Sequence, residues 1–186
     1  MTKMQGQNQQ VQIMDYGEIR TAVVSGLNSF MELLVVELNP DAPRPGKPFL
    51  SYLFITPLGP EGGLPAETGG PVPSEDEDSE WEYDFEYTRT SQDTVTISIN
   101  SYSDDSDEAI QLAIKAHSWF VFHGYDYLKS NNLVIVSVGT VENRDVYLVD
   151  SWERRAGFDV VLRVITEMRR VIETIEKVEM EFKEVK

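Results

Sequence analysis

The run from Asp93 to Phe122, DTVTISINSYSDDSDEAIQLAIKAHSWFVF, leaves few folds open. Val95, Ile97 and Ile99 alternate with Thr94, Thr96, Ser98 and Asn100, and that period of two sets an apolar face against a polar one on a strand. An acidic turn follows. Asp105 reads as an N-cap with Glu108 three residues on, as in a capping box, and Ser103 and Ser106 are alternative caps. Acids in a first turn also suit the positive end of the helix dipole. Ile110, Ala113, Ile114, His117, Phe120 and Val121 then recur at helical spacing, which predicts a buried stripe. A second apolar stripe, Leu112, Ala116 and Trp119, runs beside it, and the polar stripe of Gln111, Lys115 and Ser118 is narrow. A helix this apolar needs cover on more than its sheet-facing side. The cover comes from another part of the chain or from another subunit, so Leu112, Ala116 and Trp119 are candidate subunit contacts.

The flanking segments supply partners for this unit. Residues 1–12, MTKMQGQNQQVQ, are polar and Gln-rich and read as a flexible N-terminus without an apolar signal core. Asp15 and Glu18 mark a helix start, with Met14 able to staple onto Ile19, and the spacing predicts a helix over 16–31. Its buried stripe is Ile19, Val23, Gly26, Leu27 and Phe30. Strands are predicted at 49–56, 133–138, 146–152 and 158–165, the 133–138 strand buried, and residues 33–38 suit a strand or a helix end. His123-Gly124 is expected to end the second helix, with Gly124 as its C′ residue. All nine prolines fall between Pro40 and Pro73, and residues 59–80 read as a long inserted Pro/Gly/acidic loop. Trp81, Tyr83, Phe85 and Tyr87 alternate with Glu82, Asp84 and Glu86, which predicts an aromatic row facing a core and an acidic row facing water. The C-terminal residues past 165 suit a strand or a helix. No linker separates two cores, so residues 13–186 read as a single domain.

Charge and chemistry narrow the function. The net charge is −16, and residues 151–186 balance at eight bases and eight acids, so the excess lies in residues 1–150. Half of it sits in one run: Glu75, Asp76, Glu77, Asp78, Glu80, Glu82, Asp84 and Glu86. Such a chain is a poor nucleic-acid binder, because phosphate neutralisation needs basic patches. The acidic run is a solvated loop or a surface that repels DNA, such as a pore wall. There is no cysteine, which excludes disulfides, thiolate zinc sites and cysteine nucleophiles. The two histidines, His117 and His123, lie on different faces and do not form a metal pair; His117 on the apolar stripe reads as a satisfied core residue. No serine-hydrolase elbow, P-loop or dinucleotide fingerprint appears. No stretch reaches transmembrane length, and the chain reads as soluble, unprocessed and without a cofactor.

Five blocks in order resemble the bacteriophage neck and tail terminator proteins. They are IRTAVVSGLNSFM, VVELNPDAPRPGKPFLSYLFITP, SDDSDEAIQLAIKAHSWF, VIVSVGTVENRD and WERRAGFDVVLRV. The specificity lies in the ordered set, above all Ser137-x-Gly-x-Val-x-Asn-Arg-Asp145 followed by Gly157-Phe-Asp-Val160; residues 59–80 depart from the pattern. The resemblance implies a structural virion protein and not an enzyme. It implies a ring, usually six-fold, at the head-proximal end of the tail or in the neck, which stops tail-tube polymerisation and joins tail to head. Its partners would be further copies of itself, the tail-tube protein and the neck and head-completion proteins. DNA would pass through the lumen without specific binding, and no membrane would be involved. Such a protein assembles in the host cytoplasm and ends in the virion. A head–tail adaptor or completion protein of the same neck, and a monomeric acidic protein-binding module, are the alternatives. The expected fold is α+β: a single mixed, largely antiparallel sheet packed by two main helices, with a long Pro/Gly/acidic loop.

Overall fold

The predicted strand, turn and helix are present, and their caps form as the residue types dictate. The computed structural model describes residues 10–13, 15–39, 41, 43–60, 62–74 and 82–172. Its elements in chain order are β1 (Gln10–Ile13), α1 (Tyr16–Met31), β2 (Val35–Glu37), β3 (Phe49–Pro60), β4 (Ala66–Pro73), β5 (Tyr83–Ser103), α2 (Ser106–Ser118), a π-helical turn (Trp119–His123), α3 (Tyr125–Ser130), β6 (Val134–Val138), β7 (Glu142–Asn143), β8 (Val146–Leu148) and β9 (Ser151–Ile172). Asp105 caps α2 by accepting the Glu108 N–H at 2.9 Å. The Glu108 carboxylate turns instead to the Ser103 hydroxyl, so the box closes through a neighbouring residue. Asp15 caps α1 through the Gly17 N–H at 2.8 Å. The Met14 staple lies outside the described residues.

The chain divides into two compact units. The larger holds residues 14–63 and 92–165. There β2 runs parallel to β3, and β3 pairs antiparallel with the second half of β5. Strands β6, β7 and β8 pair antiparallel with β9. The fold is α+β with a mixed, largely antiparallel sheet, as expected. One sheet face carries Val95, Ile97, Ile99, Leu50, Tyr52, Phe158, Val160 and Leu162 into a core shared with Ile19, Val23, Leu27, Trp119 and Phe120. Burial of these side chains is the main favourable term holding the unit together, at about 1.5–3 kcal/mol for each large apolar one.

The smaller unit comprises residues 1–13, 64–91 and 166–186. In it β1 pairs antiparallel with β9, Gln10 opposite Arg169 and Ile13 opposite Thr166. The expected flexible N-terminus therefore gives way to a strand from Gln10, because an extended partner is there to complete its hydrogen bonds. Strand β4 pairs with the first half of β5, so the stretch expected as one long loop carries a strand from Ala66 to Pro73. The Tyr87 hydroxyl donates to Glu67 across that pair, and this bond pushes the phenol above its ordinary pKa. Arg170 lies over the Tyr87 ring at 5.0 Å.

Four further expectations change. The second helix does not stop at Gly124 with a left-handed cap. Gly124 has φ −90°, and its N–H donates to Trp119 O at 2.7 Å, an i to i+5 bond. What Gly124 provides is space: a Cβ there would lie 2.7 Å from Cδ2 of Trp119. Gly26 of α1 acts in the same way, since its Cβ would lie 2.6 Å from Cζ2 of Trp119. The buried side of the helical segment is the one that carries Ala109, Ala113, Ala116, Trp119 and Phe120, while the neighbouring Ile114 and Val121, expected inside, are exposed. The β6 strand, expected buried, is exposed at Val134 and Val136, so one side faces solvent. The 146–152 strand is a hairpin, with β8 and β9 joined at 149–150.

Replacing Gly124 with Ala forces the Trp119 ring to move. A loss of about 1–3 kcal/mol is expected in a urea melt, the usual scale of overpacking. Stability equal to that of the parent would show the slot to be loose.

Candidate functional site

The stripe singled out from sequence sits on the inner side of α2 and the π turn. Ala116 is fully buried, Trp119 is 3% exposed, and Leu112 packs half-buried against the core. Trp119 meets Gly26 of α1, Tyr127 of α3 at 6.3 Å between ring centroids, and Phe120 at 4.7 Å. In a single chain, then, α1 and α3 supply the cover that the stripe needs. His117 donates its Nε2–H to Gly139 O at 3.1 Å and sets its ring edge-on to Phe158, so it is a satisfied half-buried histidine.

The acidic run is only partly described. Glu75, Asp76, Glu77, Asp78 and Glu80 lie outside the described residues, and so does Trp81. Glu82 is exposed, and Asp84 and Glu86 are half-buried. The alternation is the reverse of the expected one, since Tyr83 and Phe85 are exposed. Period-two patterning alone does not decide which side of a strand is buried.

The block Val138–Asp145 has a structural task that the sequence pattern does not reveal. Arg144 donates to Ser98 Oγ at 2.8 Å, to Asn100 Oδ1 at 3.0 Å and to Asp159 Oδ1 at 3.1 Å. The polar face of β5 is thereby closed by one guanidinium, which explains how Ser98 and Asn100 can be buried. Asp145 accepts the Arg155 N–H at 2.7 Å and the Arg154 guanidinium at 2.9 Å. Burial pushes the Asp145 carboxyl up, but the Arg155 N–H, the Arg154 guanidinium and Asn143 outweigh burial and leave it below the usual carboxylate value. The signal that could have found this network is the adjacent Asn-Arg-Asp beside a strand with a hydroxyl and amide face.

On the same side of β3, a cleft of about 590 Å³ lies between Pro43, Arg44 and Pro45 and the residues Phe49, Ser51 and Leu53. Arg44 pairs with the buried Glu153, which Arg155 also approaches at 3.9 Å. The buried Ser51 hydroxyl has no hydrogen-bond partner among the described residues. No group of three metal-ligating side chains occurs among them either, and none of their helices is long and apolar enough to cross a membrane.

The outer surface of the larger unit is the more unusual part. Phe122 is 76% exposed and shares the outside of the helical segment with Ile114, Val121 and Tyr125. The β8–β9 hairpin exposes Tyr147, Leu148, Val149 and Trp152, with Val149 at 91%. Neither set was predicted, because helical spacing placed Ile114 and Val121 inside and the 146–152 run was read as one strand.

Asp145 gives a testable pH dependence. Its folded pKa is depressed, so its contribution is complete above about pH 4 and lost as pH falls through the folded value. Asp145→Asn should cost about 1–3 kcal/mol at pH 7, the range for charge-assisted bonds, and progressively less in acid. Denaturant melts at pH 7 and pH 3 check this, and an equal gap at both would assign the effect to packing.

The sequence model of the phage neck terminator protein family matches residues 11–186. No curated protein matches the chain.

Proposed function

Because the chain belongs to the phage neck terminator protein family and is a structural protein of the phage neck or tail, we propose that it forms a closed ring, six-fold, at the head-proximal end of the tail. In this reading the ring terminates tail-tube polymerisation and joins the tail to the head. It contacts the tail-tube protein on one side and neck or head-completion proteins on the other. It assembles in the host cytoplasm and is carried in the virion. The observation that carries the reading is the family match across nearly the whole chain.

Two physical features support it. Large exposed apolar side chains cluster on the larger unit, and such clusters mark surfaces that are covered in assembly. The acid excess also suits a lumen through which DNA slides, since a basic wall would hold the phosphates by counterion release. The reading assigns Glu75, Asp76, Glu77, Asp78, Glu80, Glu82, Asp84 and Glu86 to that DNA-repelling role.

Native mass spectrometry and negative-stain microscopy test the proposal. One closed species of defined copy number, capping tail-tube protein in a mixed assembly, is the expected outcome. A protein that stays monomeric at high concentration, alone and beside tail-tube protein, would overturn it.

A further inference from the structure

The helical segment exposes an apolar surface: Ile114, Val121, Phe122 and Tyr125 lie on the outside while Trp119 and Phe120 are buried. The charges beside them are Lys115, next to Ile114 in the chain, Asp126, next to Tyr125, and Lys129, whose Nζ lies 6.0 Å from the Tyr125 ring, so bases outnumber acids two to one.

The β8–β9 hairpin of the same unit has the opposite character. Tyr147 and Trp152 pack edge to face at 5.3 Å and stiffen its tip, where Val149 stands out. Asp150 is the acid of residues 146–152, and the Arg154 guanidinium, paired with Asp145, lies 5.3 Å from the Trp152 ring. Rigid Tyr and Trp side chains beside a protruding aliphatic group are the usual makings of an interface anchor.

We infer that the hairpin tip of one subunit, Tyr147, Val149 and Trp152, seats against the helical patch of a second copy, Ile114, Val121 and Phe122. The balance of charge favours this pairing, with two bases to one acid on the patch and Asp150 left over at the tip once Arg154 is paired with Asp145. Patch against patch would oppose Lys115 and Lys129 to their own copies, and tip against tip would oppose Asp150 to Asp150. Tip against patch sets Asp150 among lysines and covers both apolar surfaces at once. Two different surfaces on one chain give a head-to-tail contact, the kind that generates a ring when the rotation closes. The inference rests on the ring reading and names its contact.

The absence of cysteine makes the contact easy to trap. Phe122→Cys and Val149→Cys chains are prepared separately, co-assembled in equal amounts, treated with copper phenanthroline and run on a non-reducing gel. A cross-linked dimer only in the mixture is expected. A dimer from either chain alone, or none in a mixture that has assembled, overturns the contact. As a second readout, Phe122→Glu should weaken assembly at least 100-fold, with the monomer's melting curve unchanged because the side chain is exposed; assembly at parental strength overturns the contact as well. If the unsubstituted protein never assembles, it is the ring reading that fails.

Discussion

The Trp119 indole is the part of the larger unit on which most else turns. Its slot exists because two residues far apart in sequence lack a Cβ, Gly26 in α1 and Gly124 after α2. Filling that slot presses α1 against the helical segment and aligns Phe120 with Phe158 of β9, at 5.9 Å between rings. Sheet and helices thus meet through a chain of aromatic contacts, and close packing of this kind tolerates little change in volume. The i to i+5 bond from Gly124 to Trp119 is the backbone side of the same arrangement.

The opposite face of β5 is held by a different kind of force. Arg144 hydrogen-bonds Ser98 and Asn100 there and reaches Asp159 as well. Asp145 in turn fixes the strand after the hairpin by accepting the backbone N–H of Arg155 and the guanidinium of Arg154. The Asn-Arg-Asp of the block Ser-x-Gly-x-Val-x-Asn-Arg-Asp therefore has an architectural role. A half-buried guanidinium bonded to three fixed partners favours one register where hydrophobic pairing would permit several.

Much of the fold was legible in the chain itself. Helix α1 runs from Tyr16 to Met31 as its caps and spacing indicate, and β3, β5 and β6 lie where alternation or apolar runs place them. Those features depend on local chemistry, which sequence displays directly. The misplacements came from tertiary effects. Ile114 and Val121 fit a period of 3.6, but so do Ala109, Ala113, Ala116 and Phe120, and it is this second set that faces the core. Tyr83 and Phe85 alternate like core residues, yet the buried side of a strand is set by what packs on it. Ser98 and Asn100 read as the polar face of a strand, and Arg144, more than 40 residues later, covers it. The candidate stripe Leu112, Ala116 and Trp119 was found by pattern, whereas spacing alone does not tell which of two apolar stripes a helix turns outward.

The π turn gives the helical segment a tolerance of length. It holds one residue more than an α turn, so deleting one residue between 119 and 123 would let the backbone close as regular α-helix and leave the elements beyond it in register. In evolutionary terms, a single codon gained or lost at this point is absorbed within one turn, and the rest of the interior need not change to accommodate it.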